Sequence, residues 1–581
     1  PPAPLRMIQY HLFHRDPLGG YLPIEITLDT LLLPTTALQL AAWRPGRYEL
    51  QNFAQRVRRL RAFDEAGDEL AVHKTTKDRW EVATAGARTL TVRYEYHARQ
   101  LDAGGSWLDE EQLYVNPVNC CLAVVGREHE PCGLHLHVPG GWRVACALPQ
   151  PHDDPHERHA NGGYDELADS PFIASPTLQH EVFDVEGHRF HVWVQGGGAL
   201  DFHRLKADFR AFTAEQLEMF GGFPRAAYHY LVQLLPTRFY HGVEHTTSTV
   251  LALGPAELLP TWSLYKELLG VACHELFHVW NVKLIRPAEL QPYDYTREQY
   301  FRTGYVAEGL TTYYGDYLLC RAGVFTLEQY LTELNGVVRK HFDDDGWRHT
   351  SVAESSVDVW LDGYRPGAPD RKVSIYHKGC LAALLLDLEI RRLHDHQRSL
   401  DDVMRALWQH FGQTGRGYTA ADYRRVVEEV ATTPLDWYFN EVLDGLTPLE
   451  KLLDRVLGTV GLHLHTEENS SAAESRWGLR LGTQAVLPEV LAVAANSPAA
   501  RALSIGDELV AVNGRKVENG NLPGLLLVAT ETVELTVFRN KQLRTATLTA
   551  TGEAYFRRLS IEPDPDASPA EVARRRLWLR Q

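Results

Sequence analysis

No stretch of this chain approaches 18 uninterrupted apolar residues, so the sequence offers no membrane-spanning helix. Positive charge is not in excess: 59 Lys and Arg stand against 75 Asp and Glu, a formal net charge of −16. Such an acidic surface repels phosphate backbones and anionic lipids, and neither nucleic acid nor a membrane is expected as a partner. A disulfide framework is also missing. The seven cysteines are odd in number, none has C-x-x-C spacing, and Cys273, Cys320 and Cys380 lie in apolar helical contexts where cysteine is a small buried hydrophobe. This usage favours a reducing compartment, and a cytoplasmic location is the expectation. Residues 1–6, ahead of Met7, lack the charged-then-apolar pattern of a secretion signal. A periplasmic or secreted protein whose signal had been removed would read the same way.

What the chain does contain is length and alternation. Its 581 residues suggest three or four domains. Over 1–175 the alternating runs at 24–29 and 90–97, with turn clusters such as Gly19-Gly20 and Gly140-Gly141, predict an N-terminal β-sandwich-like domain. The His/Asp-rich stretch 151–163, with His152, His156, His159, Asp153 and Asp154, reads as a solvated loop rather than a metal site, because nothing fixes its spacing. From 176 to 450 the order is strand at 190–194, amphipathic helix at 200–220, strands at 228–235 and 243–253, then almost continuous helix, an α+β order. Within a further domain over 451–555, residues 485–550 return to β, with an Asn513-Gly514 hairpin and a second hairpin over 533–548. A tail, 556–581, contains a capped helix start at Ser568-Pro569-Ala570-Glu571.

His274-Glu275-Leu276-Phe277-His278 carries the chemistry. It sits in an apolar, helix-length segment that Pro260 precedes. Positions four apart share a helix face, so both imidazoles can meet one zinc ion while Glu275 beside them accepts a proton. A catalytic zinc needs a third protein ligand. No histidine follows in 283–290, and two glutamates compete. Glu298 lies in what reads as a capping box from Thr296 to Gln299, where an acid suits the helix dipole. Glu308 lies mid-helix among apolar and small residues, where a carboxylate without a partner is costly and a metal is such a partner. Glu308 is the favoured ligand, with His274 and His278, for one Zn²⁺ per chain. The neighbouring Gly309 costs helix stability, which points to close packing there.

These residues resemble a known group. His274-Glu275-x-x-His278 with the downstream Glu308-Gly309-x-x-x-Tyr313-Tyr314 resembles the gluzincin metallopeptidases. The run from His274 to Lys283 followed by Arg286-Pro287, and the motif Trp43-Arg44-Pro45-Gly46-Arg47-Tyr48, resemble the glycyl aminopeptidase family in particular. The resemblance implies an N-terminal β domain, a thermolysin-like zinc peptidase domain with a helical lobe, and a C-terminal PDZ-like domain. Gly242-Val243-Glu244-His245 is similar to the G-x-M-E-N motif of the related aminopeptidase N family, with Val243 for Met and His245 for Asn. It implies that Glu244 pairs with the free α-amine of a peptide, with Gly242 and His245 beside it. Tyr376-His377-Lys378-Gly379 resembles a Tyr-Glu-Lys-Gly stretch whose tyrosine donates to the oxyanion, and it implies a catalytic role for Tyr376. Residues 496–514 resemble a PDZ core, which implies a peptide or protein C-terminus as a partner there.

The expectation is a multidomain α+β zinc aminopeptidase that acts on peptides with a free N-terminus and a small first residue, Gly or Ala. Its rivals are a PDZ-guided endopeptidase on the same core and a non-catalytic PDZ adaptor. Glu244 separates the first rival and Glu275 the second.

Overall fold

The computed structural model describes residues 7–151, 154–197, 200–364, 367–482, 486–518, 520–529 and 531–581. Residues 1–6, together with His152 and Asp153, lie outside them, and the loop expected over 151–163 is corrected in part, since Glu157–Ala160 is a strand paired antiparallel with Cys132–His137.

Alternating side chains make the N-terminal unit. Strand Tyr21–Asp29 buries every second residue and pairs antiparallel with Thr89–His97, matching Ile24 with Tyr94 and Ile26 with Val92. These two strands lie inside a seven-stranded sheet, and two four-stranded sheets complete the unit. The inward residues form one apolar core that includes Tyr10, Ile24, Trp80, Val92 and Phe172. Trp43 and Tyr48 leave that core. They are buried instead in the large cluster of the next unit, so the 43–48 segment reaches across to it.

The second unit begins with a five-stranded sheet in the order Gln179–Val185, His188–Gln195, Ala227–Leu234, Ser248–Gly254, Phe239–Glu244. The sequence reading of one strand over 243–253 is corrected here. Two strands form a hairpin, with Gly242 opposite Leu251 and Val243 opposite Val250. No local signal marks the break, because its residues, His245-Thr246-Thr247, include none of the usual turn formers. Phe239–Glu244 is therefore an edge strand. Helices Phe202–Phe220 and Trp262–Phe277 share one apolar cluster with this sheet, and the chain is mostly helical from 305 to 458. Gly309 meets Gly379 there. A Cβ on Gly309 would fall 2.5 Å from the Gly379 Cα, so two helices approach backbone to backbone.

A third apolar cluster, with Trp477, Leu509, Val533, Leu535 and Val537, lies beneath a small C-terminal sheet. Its two-residue hairpins have left-handed turn residues, Asn513 and Gly514 in one, Asn540 and Lys541 in the other. The cores divide the chain differently from the expected break at 450/451. Helix Glu450–Gly458 buries Leu453, Val456 and Leu457 in the helical core. Residues 556–581 are not a loose tail either. Strand Arg558–Pro563 pairs with Leu462–Glu467, and helix Pro569–Leu579 puts Trp578 into that same core. The indole of Trp578 donates to Tyr313 and Asp387. Contact across 191 to 265 positions draws the end of the chain back, and no local pattern reports such a contact. All seven cysteines are free and buried. Among the described residues no helix is long and apolar enough to cross a membrane.

Candidate metal centre and cleft

Helix Trp262–Phe277 has His274 and Glu275 in its last turn, and His278 caps it. The two imidazoles turn toward one point, with Nε2 atoms 3.1 Å apart and rings nearly perpendicular at 81°. Two nitrogens that each lie about 2.0–2.1 Å from a tetrahedral zinc stand about that far apart. His278 Nδ1 donates to the Asn281 carbonyl at 2.9 Å, which leaves Nε2 with its lone pair facing the centre. Asn281 is held in turn by the Val306 carbonyl and the Thr311 hydroxyl. Asn281 lies within the run from His274 to Lys283, where no local pattern marks it as a support.

Glu308 lies in a π-helical turn, Tyr305–Leu310, and is 3% exposed. Its Oε2 is 3.4 Å from His278 Nε2. Its Oε1 accepts a hydrogen bond from the buried Tyr48 hydroxyl at 3.0 Å. The donor atoms of His274, His278 and Glu308 all lie within 4.8 Å of one another. Two imidazoles and one carboxylate that converge from two helices fit a zinc ion with an open coordination position. Glu298 is not in this group and does not line the cleft, and the capping box expected around it is absent as well. No helix starts at Thr296: the Asp294 side chain accepts from Thr296 in a turn, and Gln299 donates to the Glu289 and Pro292 carbonyls.

Glu275 is 5% exposed, and burial pushes its carboxyl well above the usual range. His278 opposes that shift, while Glu244 and Glu308 reinforce it. Gly242 makes room for it, since a Cβ at that position would lie 2.1 Å from Glu275 Oε1. Glu244 ends the edge strand and is 4% exposed. Its Oε1 is buried without a hydrogen-bond partner among the described residues. Its Oε2 lies against Gly46, where an added Cβ would come within 2.4 Å and where φ is +81°. Donor atoms of Glu244, Glu275 and His278 lie within 4.8 Å of one another. The 43–48 segment of the N-terminal unit thus touches two carboxylates of the cleft, Glu308 through Tyr48 and Glu244 through Gly46.

His245 is turned elsewhere. Its Nδ1 pairs with Asp169 at 3.0 Å, and it does not line the cleft that contains Glu244. His245 lies just past the end of the strand, and its bond to Asp169 holds it away from the cleft, which corrects the expectation of a substrate contact. Tyr376 directly precedes helix His377–Leu393, and its hydroxyl is 3.2 Å from that of Tyr364. Burial and the nearby Glu308 push the Tyr376 phenol upward. Tyr364, with Arg47 stacked over its ring, carried no sequence signal. One cavity of about 860 Å³ has Gly46, Glu244, His274, Glu275, His278, Glu308, Tyr364 and Tyr376 in its walls, and Tyr48, Asn281 and His245 are not among its lining residues.

Comparison with known proteins agrees with this geometry. Residues 9–176 match the model of the peptidase M61 N-terminal domain, and residues 267–382 match that of M61 glycyl aminopeptidase. Among solved structures, an aminopeptidase N family protein from Idiomarina loihiensis superposes with a TM-score of 0.90 at 28% identity, over 99% of this chain and 100% of that one. An M1 zinc metallopeptidase from Deinococcus radiodurans reaches a TM-score of 0.44 at 15% identity, over 76% of this chain and 94% of that one, too slight a likeness to add to the site. The curated proteins contain no match. A match to the peptidase M61 N-terminal domain followed along the chain by one to M61 glycyl aminopeptidase, with the cleft the two regions build together, supports a hydrolase acting on peptides.

Proposed function

We propose that the protein is a zinc-dependent aminopeptidase that removes the first residue from peptides with a free N-terminus. The observation that carries this reading is Glu244, a buried carboxylate at the end of the edge strand with one oxygen unpartnered and with Glu275 and His278 beside it. An anion in that position suits a cationic α-amine one residue from the scissile bond. An endopeptidase gains nothing from it.

His274, His278 and Glu308 would hold the metal. A zinc ion in such a donor set supplies Lewis acidity at the carbonyl and acidifies the attacking water. Glu275 takes the proton released in attack and returns it to the leaving amine. Tyr376 donates its hydroxyl proton in a hydrogen bond to the oxyanion. Glu244 fixes the amine, and with it the register of the peptide along the edge strand. The family resemblance carries a preference for small first residues, Gly or Ala. The small C-terminal unit we read as PDZ-like, a site where a peptide C-terminus adds as a strand.

The test compares amino-acid amides with their N-acetylated forms. Glu244→Gln raises KM for the free amides, about tenfold for the loss of a charge-assisted contact. N-acetylated substrates are poor for the unaltered enzyme. Efficient internal cleavage of an N-blocked peptide, with Glu244→Gln having no effect, would end the aminopeptidase reading.

A further inference from the structure

Two strands lead into and out of the small C-terminal unit, Leu462–Glu467 and Arg558–Pro563. They pair antiparallel, with His463 opposite Glu562 and His465 opposite Ser560. Alternation puts these four residues on one face of the ribbon. Leu464 and Ile561 belong to the other, where both join the helical core. On the outer face, ligand atoms of His463, His465 and Glu562 lie within 4.8 Å of one another. The two rings stand at 89° with centroids 6.2 Å apart. Ser560 donates to Glu562 Oε1 at 2.7 Å, which orients the carboxylate and leaves Oε2 for another partner. His463 Nδ1 is shielded from solvent and has no hydrogen-bond partner among the described residues. None of the three lines the peptidase cleft.

We propose that His463, His465 and Glu562 form a second metal site, one that takes Zn²⁺ and is separate from the catalytic centre. Imidazole and carboxylate are ligand types that zinc accepts, and a His-x-His pair on one strand with a carboxylate across from it supplies three of four tetrahedral positions. His465 and Glu562 are exposed, so their side chains are free to close on the ion by changes of rotamer. The donors come from both strands. A bound ion therefore ties the incoming strand to the outgoing one and closes the loop that contains the whole small unit. The same ribbon is docked on helix Leu327–Phe342 through Asn335, which exchanges two hydrogen bonds with the Ile561 backbone. That helix contributes to the wall of the catalytic cleft. The ion would thus hold the base of the small unit against the peptidase unit.

Metal-stripped, full-length protein is titrated with Zn²⁺ by calorimetry slightly above neutral pH, where imidazoles are unprotonated. Two ions per chain are expected, in a tight and a weaker class. His463→Ala/His465→Ala should bind only the tight one. Glu562→Gln, an exposed and nearly isosteric change that spares the fold, should weaken the second class about tenfold. Hydrogen exchange in the two ribbon strands should slow on filling the weaker class, at about tenfold higher Zn²⁺ in Glu562→Gln, and not at all in the double-histidine variant. A single ion per unaltered chain up to submillimolar Zn²⁺ would overturn the proposal. So would a second ion whose affinity is unchanged in both variants.

Discussion

Glu275 sits among His278, Glu244 and Glu308, with its carboxyl raised by burial. Glu275→Gln keeps the shape of the side chain and removes its basicity. We expect kcat to fall about 10²–10⁴-fold while metal content is unchanged, as measured by steady-state kinetics and elemental analysis. Retention of most activity would remove Glu275 from proton transfer. Tyr48 acts at one remove, through its hydrogen bond to Glu308 Oε1. Tyr48→Phe deletes only that hydroxyl. Metal affinity, measured by competition with a chelator, should weaken about 10–100-fold. An unchanged affinity would return Tyr48 to simple packing.

At the scale of elements, the edge strand and the metal helix are matched to each other at Gly242. The strand passes so close to Glu275 that a single methyl collides with its carboxylate and with Val271. Gly242→Ala should displace the base rather than the ligands. Turnover should then drop on the order of 10²-fold with metal retained, the penalty of a small misplacement at a reacting centre. Loss of metal together with activity would show instead that the whole helix had moved. The end of the edge strand is equally specific. Glu244 faces the cleft and His245 faces Asp169, so adjacent residues of one motif serve two different places.

Across the whole molecule, Asp169 joins the N-terminal unit to the peptidase unit. It accepts from Lys283 at 2.8 Å, from His245, and from the backbone and hydroxyl of Thr246. Burial opposes its charge, yet Lys283 and His245 outweigh that and hold the carboxyl well below the usual range. A carboxyl lowered in the folded state stabilises above its unfolded value of about 3.9 and loses that stabilisation as pH falls further. Asp169→Asn leaves the buried Lys283 without its counter-charge and should cost about 3–5 kcal/mol near neutral pH. Urea unfolding should show the unaltered protein losing stability between about pH 5 and pH 2 more steeply than the variant. Parallel acid dependences would mean that the latch contributes nothing.

What this sequence determined by itself was whatever a short stretch of chain dictates. Residues 274 and 278 fall on one helix face at any packing, and a glutamate at 308 among apolar neighbours asks for a partner in any fold. Asn513-Gly514 turns a hairpin without help from the rest of the chain. The tertiary structure alone decided who those partners are. Tyr48 reaches Glu308 across 260 positions, and Gly46 meets Glu244 across nearly 200. Trp578 returns to Tyr313 from the end of the chain. It also decided that one expected strand is a hairpin, that Glu298 stays out of the metal group, and that His245 faces away from the cleft. Backbone periodicity tells which side chains share a face. It does not tell which face meets which, because that choice is made by burial summed over whole units.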